Sequence, residues 1–175
     1  DLLMLYKADS QELKLDKERV HLNHLFNDLY EDIQILALEK KIGVSLEMKD
    51  EYYINGDKIR LRQLFLNLLE NAVKYNIPGG KIKIFIFEEN EKIIVEISDT
   101  GIGVMPDDAE KIFDRFYRAD KSRNRKIMGS GLGLSISKWI VEKHGGSINF
   151  RSTPNEGSVF LVVFPKERAA AAALK

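Results

Sequence analysis

The sequence lacks cysteine, which excludes disulfide bonds, thiolate metal sites and cysteine nucleophiles. It also lacks net charge, because 27 lysine and arginine residues balance 27 aspartate and glutamate residues. No overall field therefore attracts nucleic acid or an anionic membrane, and we expect no nucleic-acid partner. No apolar run approaches the roughly 20 residues that a membrane span needs. These absences favour a cytoplasmic protein.

Apolar side chains, by contrast, are plentiful enough for one core. The chain has 175 residues, the size of a single domain, and 44% of them are hydrophobic. The two ends differ from the rest. Residues 1–12 begin with leucines at loosely helical spacing, and we expect the remnant of a preceding helix there. Residues 167–175 contain an alanine run of low complexity, which we interpret as a linker or an artificial tail.

Hydrophobic periodicity predicts an α/β fold. Short strands are expected at 20–22, 44–48 and 52–54, and hairpins at 81–87 with 92–98 and at 147–152 with 157–164. The main helices are expected from about Leu25 to Gly43, from Asp57 to about Asn76, and from Gly131 to His144. A short apolar helix is expected around 109–113. This order predicts a two-layer sandwich, a mixed sheet of about five strands with three main helices on one face.

Polar residues interrupt the apolar pattern of the second helix. Its apolar side is predicted to comprise Ile59, Leu64, Leu68, Leu69, Ala72 and Val73. Asn67, Asn71 and Lys74 share a separate stripe roughly 60° wide, because each residue advances about 100° around a helix. Two amide oxygens and an ammonium group suit a hydrated Mg²⁺ ion and the phosphates that it bridges. Taken alone, an ordinary solvated helix face is the commoner explanation.

An acidic residue and two glycines follow the predicted strand at 92–98. Asp99 can accept a hydrogen bond from an exocyclic amine such as that of adenine. Gly101 and Gly103 would let the backbone approach a flat ring closely. An ordinary turn is an equally good explanation, because Asp and Gly favour turns in any case.

A second glycine-rich segment, residues 129–134, opens the third main helix. Glycines at a helix start leave amide groups free to bind an anion such as phosphate. The segment is not a P-loop, since it has no Gly-Lys-Ser/Thr, and no strand directly precedes it as a dinucleotide-binding turn requires. A lone glycine-rich loop is weak evidence of phosphate binding.

A charged loop lies between the two glycine segments. At 114–126, six lysine and arginine residues outnumber two aspartates, and Arg118 and Lys121 are our candidates for phosphate contact. A solvated loop that binds nothing is the alternative. The apolar residues beside these cations need burial against the domain or a partner, and they are Ile112, Phe113, Phe116 and Tyr117.

In their order and spacing, these segments resemble the conserved boxes of sensor histidine kinases. Residues 67–75 look like the N box, 99–103 the first glycine box, 113–118 the F box and 129–134 the second glycine box, and Gly157-Ser158 fits the weaker third. The resemblance covers about residues 20–165. It implies the Bergerat ATP-binding fold, shared with gyrase-type ATPases and certain chaperones, for a catalytic domain at 13–166.

The resemblance also implies roles for the matching residues. Asn71, with Asn67, would hold Mg²⁺, and these two with Lys74 and Arg118 would form the catalytic set. Asp99 would accept the adenine amine of ATP. Residues 104–128 would form a lid over the nucleotide. The other nucleotide-binding residues would be Tyr75, Gly101, Gly103, Val104, Ile112, Tyr117, Lys121, Gly129, Gly131, Leu132, Gly133, Leu134 and Ser158.

The phosphoryl acceptor in such kinases is a histidine. His21, His24 and His144 lack the Glu-Leu/Arg-Thr-Pro pattern of the family's acceptor helix, and we interpret all three as structural. The resemblance therefore implies an acceptor and dimerisation domain upstream, docked on Phe113 and Phe116, in a homodimeric membrane-anchored sensor that signals to a response regulator. This chain alone would be a monomer that binds ATP without phosphorylating itself.

Three other classes of protein have a related nucleotide site. Related hydrolases have a glutamate where this chain has Asn67, and an amide cannot act as a general base, which disfavours a gyrase-like or chaperone-like ATPase. A degenerate nucleotide-binding module is disfavoured because no expected ligand position is missing. The boxes alone leave open a serine-directed anti-sigma kinase, whose site is related.

Overall fold

The computed structural model describes residue 2, residues 14–118 and residues 130–167. Most of the expected helix remnant at 1–12 and of the tail at 167–175 lies outside these residues. The elements from residue 14 onward are β1 (Glu18–His21), α1 (Leu22–Ala37), β2 (Gly43–Met48), β3 (Tyr53–Gly56), α2 (Lys58–Lys74), β4 (Lys81–Glu89), β5 (Lys92–Asp99), α3 (Pro106–Ala109), α4 (Gly133–Lys143), β6 (Ser147–Thr153) and β7 (Gly157–Pro165).

Five strands form one mixed sheet in the order β2-β4-β5-β7-β6. β2 is parallel to β4, and the other neighbours are antiparallel. Alternate residues of β4, such as Ile82, Ile84 and Ile86, are fully buried beneath the helices, as the period of a strand requires. β1 and β3 pair separately. The predicted two-layer α/β sandwich is confirmed.

The helix α2 lies in the middle of the helical layer, between α1 and α4. The Asp57 carboxylate caps its first turn by accepting a hydrogen bond from Arg60 N at 3.0 Å. Phe65 packs against Phe26 of α1, with ring centroids 4.5 Å apart. The prediction for Ile59 was wrong, because its side chain is 75% exposed. Leu61 is buried instead. The two side chains point in directions about 200° apart, because they are two positions apart in the helix.

Two other predicted helices differ from the structure. α1 ends at Ala37 rather than near Gly43, and Leu36 and Leu38 are exposed. The chain turns back at Lys41, where φ is 53°. The helix expected at 109–113 is instead α3, followed by turns. Pro106 at its first position favours a start there.

The predicted main helices were otherwise slightly too long. α2 ends at Lys74 rather than near Asn76, and α4 begins at Gly133 rather than Gly131. None of the helices in the described ranges has the length and apolar character needed to cross a membrane.

Candidate nucleotide-binding site

One helix, α2, contacts both glycine segments. Asn67 Nδ2 donates a hydrogen bond to the carbonyl oxygen of Gly133, the first residue of α4, at 3.3 Å. Asn71 lies one turn further along α2 and is half-buried, as is Lys74. The Lys74 ammonium group is 5.1 Å from the centroid of the Tyr75 ring. The polar stripe of α2 therefore runs from the second glycine segment towards Tyr75.

The first glycine segment lies at the other end of α2. Ile102 N donates to the carbonyl oxygen of Tyr75 at 3.0 Å, and Gly101 N donates to Asp99 Oδ1 at 2.8 Å. Gly101 packs so tightly that a Cβ atom would lie 2.4 Å from Tyr75 O. Only glycine fits there without a shift of backbone. Asp99 is thus held against the end of the helix that carries the two asparagines.

Asp99 has an environment that disfavours its charge. Burial raises the pKa of its carboxyl group, and backbone hydrogen bonds from Gly101 and Ser158 oppose that rise. Ser158 is the β7 residue paired with Asp99 on β5. A partly dehydrated carboxylate at a strand end can accept a hydrogen bond from a ligand with little competition from water.

Ser152, on β6, connects Val104 at the start of the predicted lid to β7, and sequence reasoning missed it. Its hydroxyl group accepts a hydrogen bond from Val104 N and donates to Gly157 O, both at 2.8 Å. Its oxygen is also 3.0 Å from Ser158 Oγ. A serine in an edge strand carries no distinctive sequence signal. Gly103, with φ of 65°, lies so close to Thr153 that a Cβ would be 2.1 Å from its carbonyl oxygen.

The described part of the predicted lid contacts Gly131 near its end, at Phe116. Phe116 N donates to Gly131 O at 2.9 Å, and a Cβ on Gly131 would lie 2.8 Å from the Phe116 carbonyl carbon. The Tyr117 hydroxyl donates to Asp108 of α3, and this hydrogen bond is the largest cause that raises the pKa of Tyr117. The F box is therefore fastened to both the second glycine segment and α3.

Some predicted ligand residues have other contacts in this structure. Leu132 N donates to Ser130 Oγ at 3.3 Å, so this amide is engaged within its own loop. The side chains of Leu132 and Ile112 belong to the hydrophobic core, and Leu134 packs against it half-buried. Arg118 is exposed and is the last described residue of the predicted lid. Lys121 and Gly129 lie outside the described residues.

The two phenylalanines expected to dock a partner domain differ in exposure. Phe113 is half-buried and packs edge-to-face on Phe160, with centroids 6.4 Å apart. Phe116 is 60% exposed and has a positive φ of 61°. Of the pair, Phe116 presents the larger free apolar surface.

The donor set suits a Mg²⁺ ion delivered with a nucleotide. No group of three histidine, cysteine, aspartate or glutamate side chains in the described part of the chain could hold a metal ion. Asn67 and Asn71 supply neutral amide oxygens one helical turn apart. Mg²⁺ takes oxygen ligands and keeps several waters, so phosphate oxygens and water would complete its coordination.

The three histidines lie outside this arrangement. His144 is buried, accepts a hydrogen bond from Asp57 N at 2.9 Å through Nε2, and donates from Nδ1 to Ile140 O at 2.7 Å. Burial lowers the pKa of its imidazole. His21 stacks on Tyr53 with centroids 4.5 Å apart and pairs with Glu51.

Comparison with known proteins agrees with this architecture. Residues 56–168 match the model of the family described as histidine kinase-, DNA gyrase B-, and HSP90-like ATPase, and the chain belongs to that family. The sensor histidine kinase RppB of Synechocystis sp. is 37% identical over 166 residues, which are 94% of this chain and 37% of the relative. This chain spans little more than a third of the length of the curated relatives it matches.

Solved structures of histidine kinases share the fold. The mycobacterial sensor histidine kinase MprB aligns with a TM-score of 0.77 and 27% identity, covering 87% of this chain and all of that one. Full-length ShkA in complex with AMPPNP aligns with a TM-score of 0.79 and 28% identity, covering 91% of this chain and 33% of that one. The resemblance inferred from the sequence boxes is confirmed, and membership of an ATPase family supports the use of ATP.

Proposed function

We propose that this chain binds Mg²⁺-ATP around α2 and donates the γ-phosphoryl group to a histidine on a separate phosphoacceptor domain, as part of two-component signal transduction. The observation that carries the proposal is the double contact of α2. Asn67 of α2 donates a hydrogen bond to Gly133 O, and Tyr75, the capping residue of α2, accepts one from Ile102 N. One rigid element thus brings the candidate adenine site and the candidate phosphate site together. The names of the relatives and of the AMPPNP-bound neighbour support the same activity.

Each side chain has a chemical task in this proposal. Asp99 accepts a hydrogen bond from the 6-amino group of adenine. Asn71 and Asn67 hold the Mg²⁺ ion, which neutralises charge on the phosphates when it is bound. Lys74 and Arg118 contact phosphate oxygens as cations. The remaining predicted ligand residues, including Tyr75, Val104, Gly131, Gly133 and Ser158, line the nucleotide.

Transfer to another protein is favoured over hydrolysis by the chemistry of Asn67. A carboxylate at that position could take a proton from water, whereas an amide is neither a base nor titratable near neutral pH. Its nitrogen already donates to Gly133 O. The bound triphosphate then reacts only with a nucleophile from another domain, which in two-component kinases is histidine.

The partners follow from the same proposal. The acceptor and dimerisation domain docks on the F box, chiefly on the exposed Phe116, and the intact homodimeric sensor passes the phosphoryl group to a response regulator. The catalytic part works in the cytoplasm, where ATP is available.

Calorimetric titration with AMPPNP, with and without Mg²⁺, tests the nucleotide site. Asn71→Ala should remove the Mg²⁺-dependent gain in affinity and leave the remaining affinity unchanged. Asp99→Ala should weaken binding under both conditions, because the adenine contact does not depend on Mg²⁺. Binding of AMPPNP that is indifferent to both substitutions would refute the site.

A further inference from the structure

The C-terminal end of α2 is capped by a lysine from outside the helix. Lys40, in the turn after α1, places its Nζ atom 3.0 Å from Val73 O, 2.6 Å from Lys74 O and 3.2 Å from Asn76 O. An ammonium group has three N–H donors, and here a separate backbone carbonyl faces each of them. A positive charge also stabilises the negative end of the helix dipole.

These bonds fix the backbone of the residues on either side of Tyr75. Lys40 donates to the carbonyl oxygens of Lys74 and Asn76, the residues before and after Tyr75. The Tyr75 carbonyl itself accepts a hydrogen bond from Ile102 N at 3.0 Å. Tyr75 is the last capping residue of α2, with φ of −94° and ψ of 4°, so its backbone has already left the helical range. The direction of its carbonyl therefore depends on contacts outside the helix.

The Tyr75 carbonyl is the point at which α2 supports Asp99. It contacts Gly101 and Ile102, and Gly101 N in turn donates to Asp99 Oδ1. A second route passes through the buried Asn76, which accepts a hydrogen bond from Thr100 Oγ1 at 3.3 Å. The first route starts at the Tyr75 carbonyl, between the two carbonyls that Lys40 binds, and the second starts at the Asn76 side chain, whose backbone carbonyl Lys40 binds.

The turn that carries Lys40 is anchored to its surroundings. Gly79 N donates to Lys40 O at 2.8 Å, and Gly43 N donates to Gly80 O at 2.9 Å. The ammonium group is thus presented from a braced turn rather than from a free surface loop. A side chain held in this way can fix the position of the backbone that it binds.

We propose that Lys40 is a positioning residue for adenine recognition, which acts through the Tyr75 carbonyl and the Gly101–Ile102 segment on Asp99. The inference rests on the proposed function, in which Asp99 reads the 6-amino group. Lys40 itself does not touch the nucleotide. Its effect should therefore be specific to that amino group, whereas a residue that only stabilises the fold would affect all nucleotides alike.

The test compares two nucleotides that differ only in the 6-amino group, ATP and purine riboside 5′-triphosphate. Lys40→Met keeps the length and apolar stem of the side chain and removes its donors, and Lys49→Met changes an exposed lysine as the matched control. Calorimetry with Mg²⁺ should show ATP affinity lowered about fivefold to tenfold by Lys40→Met. Affinity for the analogue should change less than twofold, and the control should resemble the parent chain.

Three comparisons make the outcome decisive. Equal losses for both nucleotides in Lys40→Met would overturn the role of Lys40. In an Asp99→Asn background the effect of Lys40→Met on ATP should disappear, because the two residues act in one chain of contacts. If the unaltered chain binds both nucleotides equally well, the assigned role of Asp99 in the proposed function fails, whatever Lys40 does.

Amide hydrogen exchange supplies a measurement that needs no nucleotide. Lys40→Met should accelerate exchange of the Ile102 amide, whose acceptor is the Tyr75 carbonyl, and leave the amides of β4 protected. Unchanged protection at Ile102 would contradict the proposal. Should the methionine variant fail to fold, Lys40→Gln is measured in the same way.

Discussion

At the scale of single residues, Asp99 is a carboxyl group held where its charge is disfavoured. Its pKa is raised chiefly by burial. For an acid, a folded-state pKa above the unfolded value means that stability falls as pH rises from the unfolded pKa through the folded one. At neutral pH, which lies above the unfolded pKa, the raised pKa of Asp99 therefore lowers stability, as expected for a group retained for binding.

Asp99→Asn should separate binding from stability. The amide oxygen can still accept the hydrogen bond from Gly101 N, and the buried charge is gone, so thermal unfolding at pH 7 should occur at the same temperature or higher. ATP affinity should fall roughly 10- to 100-fold, because an adenine amine loses a charged acceptor. A variant that unfolds at a lower temperature and binds ATP normally would contradict both parts.

His144 predicts how stability depends on pH. Its folded pKa is lowered below the usual value of 6.5, because the imidazole is buried and its Nε2 must stay unprotonated to accept from Asp57 N. The unfolded chain then binds more protons in the window below about pH 6.5, so stability is lost as pH falls from there towards the folded pKa.

Urea unfolding at pH 7.5 and 5.5 measures this effect. His144→Gln should be less stable than the parent chain at pH 7.5 yet lose less stability on acidification. His24→Gln, which alters an exposed histidine, serves as the control and should keep the parental pH dependence. An identical loss in His144→Gln would refute the assignment.

At the scale of elements, the second glycine segment depends on a backbone conformation at Gly131. Its φ is 72°, the same as that of Gly145 after α4, yet only Gly131 has neighbours that a Cβ would meet. Gly145→Ala should cost about 1 kcal/mol of stability from the backbone alone and leave AMPPNP affinity unchanged.

Gly131→Ala should carry an additional cost of about 1 to 3 kcal/mol at the lid, because the Phe116 backbone must move. That cost should appear in calorimetry as a loss of AMPPNP affinity of at least about fivefold, in contrast to Gly145→Ala. Equal behaviour of the two variants would show that the contact between Phe116 and Gly131 does not support nucleotide binding.

The sequence predicted elements best where their signals are local. The start of α2 after Asp57 and the two hairpins depend on residues close in the chain, and they lie within a few positions of where they were expected. The predictions that failed, Ile59 in the core and a helix at 109–113, concerned ends of elements, where tertiary contacts decide.

The candidate site was predictable to the extent that it resembles a known set of boxes. The contacts that hold it in place were not, because each joins distant parts of the chain. Ser152 with Val104 and Lys40 with the end of α2 are examples. No periodicity connects such partners, and ordinary serines and lysines occur at many surface positions.

At the scale of the whole molecule, side-chain hydrogen bonds hold both ends of α2. His144 and Asp57 hold its start, and Lys40 holds its end. Between these anchors the helix presents its polar stripe to two loops, one after β5 and one before α4. A rigid central element flanked by loops is the arrangement in which nucleotide binding can move a lid without moving the asparagines proposed to bind Mg²⁺.

Phosphoryl transfer tests this arrangement as a whole. Incubated with γ-labelled ATP and Mg²⁺, the chain alone should turn over slowly and acquire no stable label, since Asn67 offers no general base and both ring nitrogens of His144 are engaged. A separately purified histidine phosphoacceptor domain should become labelled.

Phe116→Ala should reduce that labelling several-fold without changing ATP affinity, because an exposed aromatic side chain is a typical binding hot spot. Ile59→Ala, at another exposed apolar position, should leave it unchanged. Strong labelling of the chain alone, or transfer indifferent to Phe116→Ala, would show that the catalytic domain does not work by docking an external histidine.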